Sequence, residues 1–185
     1  LTKPEECAKA VKAVIEKFGR IEGLVNNAGV NDGVNLEQGS YEAFMASLHK
    51  NVVHYYLMAH HALPELKKSK GAIVNITSKT AETGQGGTSA YAAANGGRNA
   101  LTREWAVELL KYSIRVNAVV VAESWTPLYA NWIKTLPNPE EKLIPCNSVV
   151  YIYDDARPGF NPNTFINIDW KKGIKEKNWN IIFSP

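Results

Sequence analysis

Three short apolar runs, each preceded by a long segment of helical period, set the limits on what this chain can fold into. Residues 4–18 open on Pro4, carry Glu5 and Glu6 early, repeat apolar side chains at Ala10, Val11, Val14, Ile15 and Phe18, and run into Gly19. Proline in a first turn, acids at the positive end of the helix dipole and glycine after the last turn predict a helix with those bounds. The stretch "GLVNNAG" (23–29) then reads as a short buried strand ending in small and polar residues. An amphipathic helix is predicted over 40–66, with Ser40 as its cap. The strand "GAIVNIT" (71–77), a helix over 89–112 and the strand "IRVNAVVV" (114–121) complete the series. Strands alternating with long helices predict an α/β fold with a parallel sheet, helices on both faces and right-handed crossovers. Ligands of such sheets sit at the carboxyl ends of the strands. Those ends, 26–29, 77–78 and 120–122, are therefore expected to line one crevice.

Composition narrows the classes. The 185 residues suffice for one domain with a real core, and 45% hydrophobic with 21% charged residues is ordinary for a globular protein. A net charge of +3 without a run of Lys or Arg points away from nucleic-acid partners. No apolar run approaches the roughly 18 residues of a membrane helix, and no secretory signal opens the chain. Cys7 and Cys146 lack metal or redox spacing, so a reducing cytoplasm is the expected setting. Near residue 143 the character changes. Residues 1–143 carry the periodic segments. Residues 144–185 are rich in Asn, Ile, Lys and aromatics, with short β-like pieces such as "SVVYIY", and form a divergent tail.

Several residues stand out against this frame. Ser78 ends a strand and Tyr91 begins a helix, so both can reach the crevice. A phenol has a pKa of about 10 and needs a cation nearby to act as a base at neutral pH. The position one turn on faces the same way, and it holds Asn95 rather than a lysine. On these residues alone, a packed tyrosine with a satisfied hydroxyl is the commoner reading. Gly96 and Gly97 inside the same helix each cost about 1 kcal/mol relative to alanine, which leaves a close backbone approach or a kink as the reason. "GQGG" (84–87) fails the dinucleotide-loop spacing and reads as a flexible loop over the crevice. His49, His54, His60 and His61 have no metal-ligand spacing. Asn51 sits inside a helix, where asparagine is unfavourable, and a kink with a functional amide is one reading of it.

Taken together these residues resemble the short-chain dehydrogenases/reductases. "NNAG" (26–29) is similar to the motif ending that family's fourth strand. Asn51, Ser78 and Tyr91 fall at the spacing of its catalytic Asn, Ser and Tyr. "RVNAVVVAESWTP" is similar to its sixth strand and following loop, including Thr126. The stretch from Thr77 to Val120 most resembles sugar-oxidising, L-fucose dehydrogenase-like members.

The resemblance implies a partial Rossmann-like, doubly wound parallel sheet whose first half-sheet is missing. It implies NAD or NADP as cofactor, touched by Asn27, Ala28, Gly29, Tyr91, Asn95, Val121, Ala122 and Thr126, and a small alcohol or sugar as substrate. Tyr91 would take the hydroxyl proton, Ser78 hold the substrate oxygen and Asn51 hold a relay water. The helices over 40–66 and 89–112, with Leu101, Trp105, Leu109 and Leu110, would pair in a homo-oligomer. Four departures follow. Asn95 replaces the motif lysine and forfeits its charge. Val121–Ala122 stands where the family has Pro-Gly. The glycine-rich phosphate loop is not found, as if the chain starts after the family's first strands. The tail has the composition of AT-rich DNA read out of frame, which predicts a truncated or frameshifted product. The expected function is an NAD(P)-dependent oxidoreductase impaired or inactive in this chain. The alternatives are a non-catalytic binding relative and a fragment without function.

Overall fold

The computed structural model describes residues 1–122, 127, 131 and 133–135, together with the backbone of two later strands. Helix α1 spans Pro4–Phe18 and ends at Gly19, whose φ of 77° brings its N–H onto the Ile15 carbonyl at 2.8 Å. That left-handed turn is why glycine stands there. Strand β1, Gly23–Asn26, follows. The helix expected over 40–66 is divided: α2 is Tyr41–Leu48, a π-helical turn covers His49–Val53, and α3 runs through His54–Ser69. Ser40 caps α2 by accepting from the Ala43 N–H at 3.1 Å. Strand β2 is Ala72–Ser78, α4 is Ser89–Leu109 and β3 is Arg115–Val121.

The sheet order is β1-β2-β3 with parallel pairing, Val25 opposite Val74 and Ser78 opposite Val121. Strand β4, Val149–Tyr153, adds antiparallel to β3, and β5, Phe165–Asn167, antiparallel to β4. The α/β architecture with a partial Rossmann-like parallel sheet stands. The placing of the helices needs correction. Helices were expected on both faces, yet α1, α3 and α4 share one core with a single face of the sheet. That core contains Val11, Tyr55, Leu66, Ile73, Trp105, Leu109 and Val116. Successive right-handed crossovers that step the same way across a sheet put their helices on the same side. On the other face Val74, Ile76, Val119 and Val121 are half-buried, and Val25 at the sheet edge is 64% exposed. Trp105 and Leu109, expected at an oligomer surface, belong to the core instead.

A buried polar ladder ties strands to helix. Asn26 Nδ2 donates to Asn75 Oδ1 at 3.0 Å, Asn75 Nδ2 to Thr102 Oγ1 at 2.9 Å, and Thr102 Oγ1 to the Arg98 carbonyl at 2.8 Å. Each side chain of the ladder thereby finds a partner, which fixes the register of α4 against both strands. Helix α4 runs unbroken through Gly96 and Gly97. A Cβ on Gly97 would touch Val52 Cγ2 at 3.4 Å, whereas one on Gly96 would meet nothing within 4 Å. A contact of that length is ordinary, so nothing in the structure requires glycine at either position.

Candidate active site

The ends of the three parallel strands open into one cleft of about 260 Å³, lined among others by Asn27, Gly29, Thr77, Ser78, Tyr91, Val121 and Ala122. Ser78 arrives there as the last residue of β2, its Oγ accepting from the Thr80 N–H at 3.3 Å. Tyr91 arrives from the first turn of α4 and is half-buried. Thr126 lies outside the described residues. The "GQGG" segment is an exposed loop in which Gly86 and Gly87 take positive φ.

Asn51 and Asn95 lie behind the cleft, both fully buried. Asn51 sits in the π turn. Its Oδ1 accepts from the Val30 N–H at 2.8 Å, and its Nδ2 donates to the Ser47 carbonyl at 3.0 Å. The wider π turn fits a position where a polar side chain must leave the helix ladder to make outside bonds. Asn95 spends its Nδ2 on the Tyr91 carbonyl at 2.8 Å, within its own helix.

What joins these residues is one that reading the sequence missed. Arg98, 3% exposed, reaches under the cleft from α4. Its Nε donates to the Asn51 carbonyl. Nη1 donates to Asn95 Oδ1 at 3.0 Å and to the Ile76 carbonyl at 3.2 Å, and Nη2 to the Ala28 carbonyl and Asn51 Oδ1, both at 3.4 Å. The guanidinium also lies 4.3 Å over the Tyr55 ring, a favourable cation–π position. Arg98 itself lines the cleft. The signal for it was available: 91, 95, 98 and 102 recur at helical spacing on one face. An arginine on a helix is normally solvated, and that expectation hid it.

Gly29 of "NNAG" has a steric reason. A Cβ there would lie 2.5 Å from Arg98 Nη2 and 2.9 Å from Asn51 Oδ1, so only glycine leaves room for the guanidinium. His54 braces the same turn, its Nε2–H donating to the Ala28 carbonyl at 3.0 Å. Burial lowers the His54 pKa below the ordinary imidazole value, against the opposing pull of its bonds to the His49 and Ala28 carbonyls. The unfolded chain then binds the proton more readily than the folded one. Stability from this histidine is complete above about pH 6.5 and drains away as pH falls through the lower folded value. Urea midpoints are expected to drop between neutral pH and about pH 5, with a shallower drop in His54→Gln.

Among the described residues no group of three His, Cys, Asp or Glu side chains could hold a metal ion, and no helix is long and apolar enough to cross a membrane.

The comparisons with known proteins agree with this geometry. The family model "short chain dehydrogenase" matches residues 1–136. L-fucose dehydrogenase of Bos taurus is 33% identical over 140 residues, covering 75% of this chain and 52% of that protein. The crystal structure of Cj0485 dehydrogenase superposes with a TM-score of 0.72 at 47% identity, over 76% of this chain and 54% of that one. NAD+-bound xylitol dehydrogenase superposes with a TM-score of 0.68 at 25% identity, over 75% and 55% respectively. The chain spans about half the length of the curated relatives it matches. With a parallel sheet, a strand-end cleft and a family match over residues 1–136 of its 185, the chain belongs to the short-chain dehydrogenase family.

Proposed function

We propose that this chain carries the alcohol-oxidising half of an NAD(P)-dependent oxidoreductase site acting on an alcohol or sugar hydroxyl. The observation that carries the reading is Ser78 and Tyr91 together on the wall of the strand-end cleft. Ser78 would fix the substrate oxygen through its hydroxyl. Tyr91 would take the proton from that oxygen as the carbinol C–H bond breaks. The cleft volume of about 260 Å³, the two hydroxyls and the strand-end peptides fit the nicotinamide end of the cofactor. Asn27, Gly29, Val121 and Ala122 would hold that end. A bound nicotinamide supplies the hydride acceptor. The similarity to L-fucose dehydrogenases supports a sugar hydroxyl as substrate.

The rival is a protein that binds such ligands without turning them over. It is favoured by Asn95, whose amide is spent inside its helix. Titration of reduced nicotinamide fluorescence, followed by oxidation assays with NAD and NADP on L-fucose and simple alcohols, separates the two. Turnover supports the enzyme, binding without turnover supports the rival, and neither result leaves both readings without support.

We also propose self-association through α3 and α4. Tyr56 on α3 and Val107 on α4 are exposed large side chains, as is Leu110 just beyond α4. Exposed apolar surface of this kind marks interaction sites when contiguous. Light scattering is expected to give a mass of two chains or more. A monomer persisting at high protein concentration would remove the proposal.

A further inference from the structure

We infer that Arg98 supplies the positive charge of the cleft, standing in for the lysine whose place Asn95 takes, and that it acts as a positioning residue through Asn51, Asn95 and the Ala28–Gly29 turn. The inference rests on the oxidoreductase reading above and deepens it.

Three observations carry it. The guanidinium is buried, yet among the described residues no carboxylate pairs with it. All five of its hydrogen bonds go to neutral oxygens, those of Ala28, Ile76, Asn95 and, twice, Asn51. Those five bonds use every N–H that a guanidinium has. It is therefore fixed in direction, and beyond these dipoles and the Tyr55 ring face no negatively charged group among the described residues offsets its charge. Buried charges are ordinarily paired. One without a counter-ion keeps a net field, and the nearest open space it reaches is the cleft that Arg98 shares with Ser78 and Tyr91. Lastly, its Nη1 lies 3.0 Å from the end of the side chain at position 95. The charge thus sits where a cation on residue 95 would begin to act.

Burial pulls the pKa of Arg98 down, while negative charge on Tyr55 or Tyr91 acts in the opposite direction. A cation on the cleft wall favours an oxygen in the cleft that gains negative charge as its proton leaves. Fixed donors and charges aimed at such an oxygen lose nothing to reorganisation when the reaction occurs.

The test uses the 185-residue chain in five versions: unaltered, Arg98→Lys, Arg98→Gln, Asn95→Lys, and Arg98→Gln combined with Asn95→Lys. Far-UV spectra and urea melts first establish which fold. In alcohol oxidation followed against pH, Arg98→Gln is expected to turn over about tenfold to a hundredfold more slowly at neutral pH and to recover at higher pH. Arg98→Lys and the double variant are expected to regain the original profile, because each restores one cation. A folded Arg98→Gln chain with an unchanged pH profile overturns the inference, as does a double variant no better than Arg98→Gln.

If no version turns over, the functional reading fails, and stability still decides the charge assignment. Asn95→Lys is expected to lower the urea midpoint while Arg98 is present, through like-charge repulsion and a lost acceptor. The same change should not lower it in the Arg98→Gln background. An equal loss in both backgrounds overturns the inference independently of activity.

Discussion

Tyr91→Phe is expected to reduce turnover by about 10²–10⁴-fold, the usual contribution of a positioned proton-transfer group, with little loss of stability. The asymmetry follows from where the hydroxyl is. Tyr91 is half-buried on the cleft wall, and among the described residues no hydrogen bond ties its hydroxyl into the core. Its ring stays in phenylalanine, so packing is kept and only the proton carrier is lost. Ser78→Ala is the informative partner. Ser78 Oγ also accepts from the Thr80 N–H at 3.3 Å, capping the short helical turn Lys79–Ala81. Its removal should therefore cost about 1 kcal/mol in addition to its effect on rate. Steady-state kinetics beside urea unfolding separates the two terms. A Tyr91→Phe chain that turns over like the parent would remove the phenol from the chemistry. Equal rate and stability losses in both variants would mean that the cleft is simply misfolding.

The parts legible in the sequence were those governed by local rules. Pro4, Glu5, Glu6 and Gly19 bound α1 because each satisfies or stops a helix end. Strands β2 and β3 could be anticipated from their apolar runs, and so could the meeting of the strand ends in one cleft. The parts not legible depend on tertiary partners. Asn51 read as an unfavourable helix residue, and only the neighbouring Val30 N–H and Arg98 explain why a π turn is worth forming there. Trp105 and Leu109 could be assigned to an interface or to the core by periodicity alone, and packing against Leu66 and Ile73 decided for the core. Arg98 was missed for the same reason. A buried arginine is rare without a carboxylate, and its four partner residues lie on β1's following turn, the π turn, β2 and its own helix.

Asn51→Leu and Asn51→Asp are expected to fail in opposite ways, and the contrast tests what the buried arginine is for. Asn51 is fully buried, and its side chain has two acceptor roles and one donor role that matter. Oδ1 receives the Val30 N–H at 2.8 Å and Arg98 Nη2 at 3.4 Å, while Nδ2 donates to the Ser47 carbonyl at 3.0 Å. Leucine matches the volume but accepts and donates nothing. It leaves an amide and a charged donor with fewer partners, at a cost of about 1–3 kcal/mol for each buried group that finds no water. A lower urea midpoint with loss of turnover should follow, because the turn carrying Ala28 and Gly29 is no longer pinned. Aspartate keeps both acceptor roles, but its second oxygen takes the place of Nδ2 and faces the Ser47 carbonyl, two acceptors in opposition where the parent has a hydrogen bond of 3.0 Å. Next to Arg98 it also adds the counter-charge that the parent lacks, and that attraction, set against desolvation and the Ser47 contact, should leave the Asp chain more stable than the Leu chain. Turnover should nevertheless fall by about tenfold or more, since a neutralised guanidinium no longer favours charge on the reacting oxygen. The Asp variant therefore separates holding the fold from holding the charge. If it folds well and turns over at the parental rate, the net charge under the cleft is irrelevant to the reaction, and Arg98 serves only to tie four segments together.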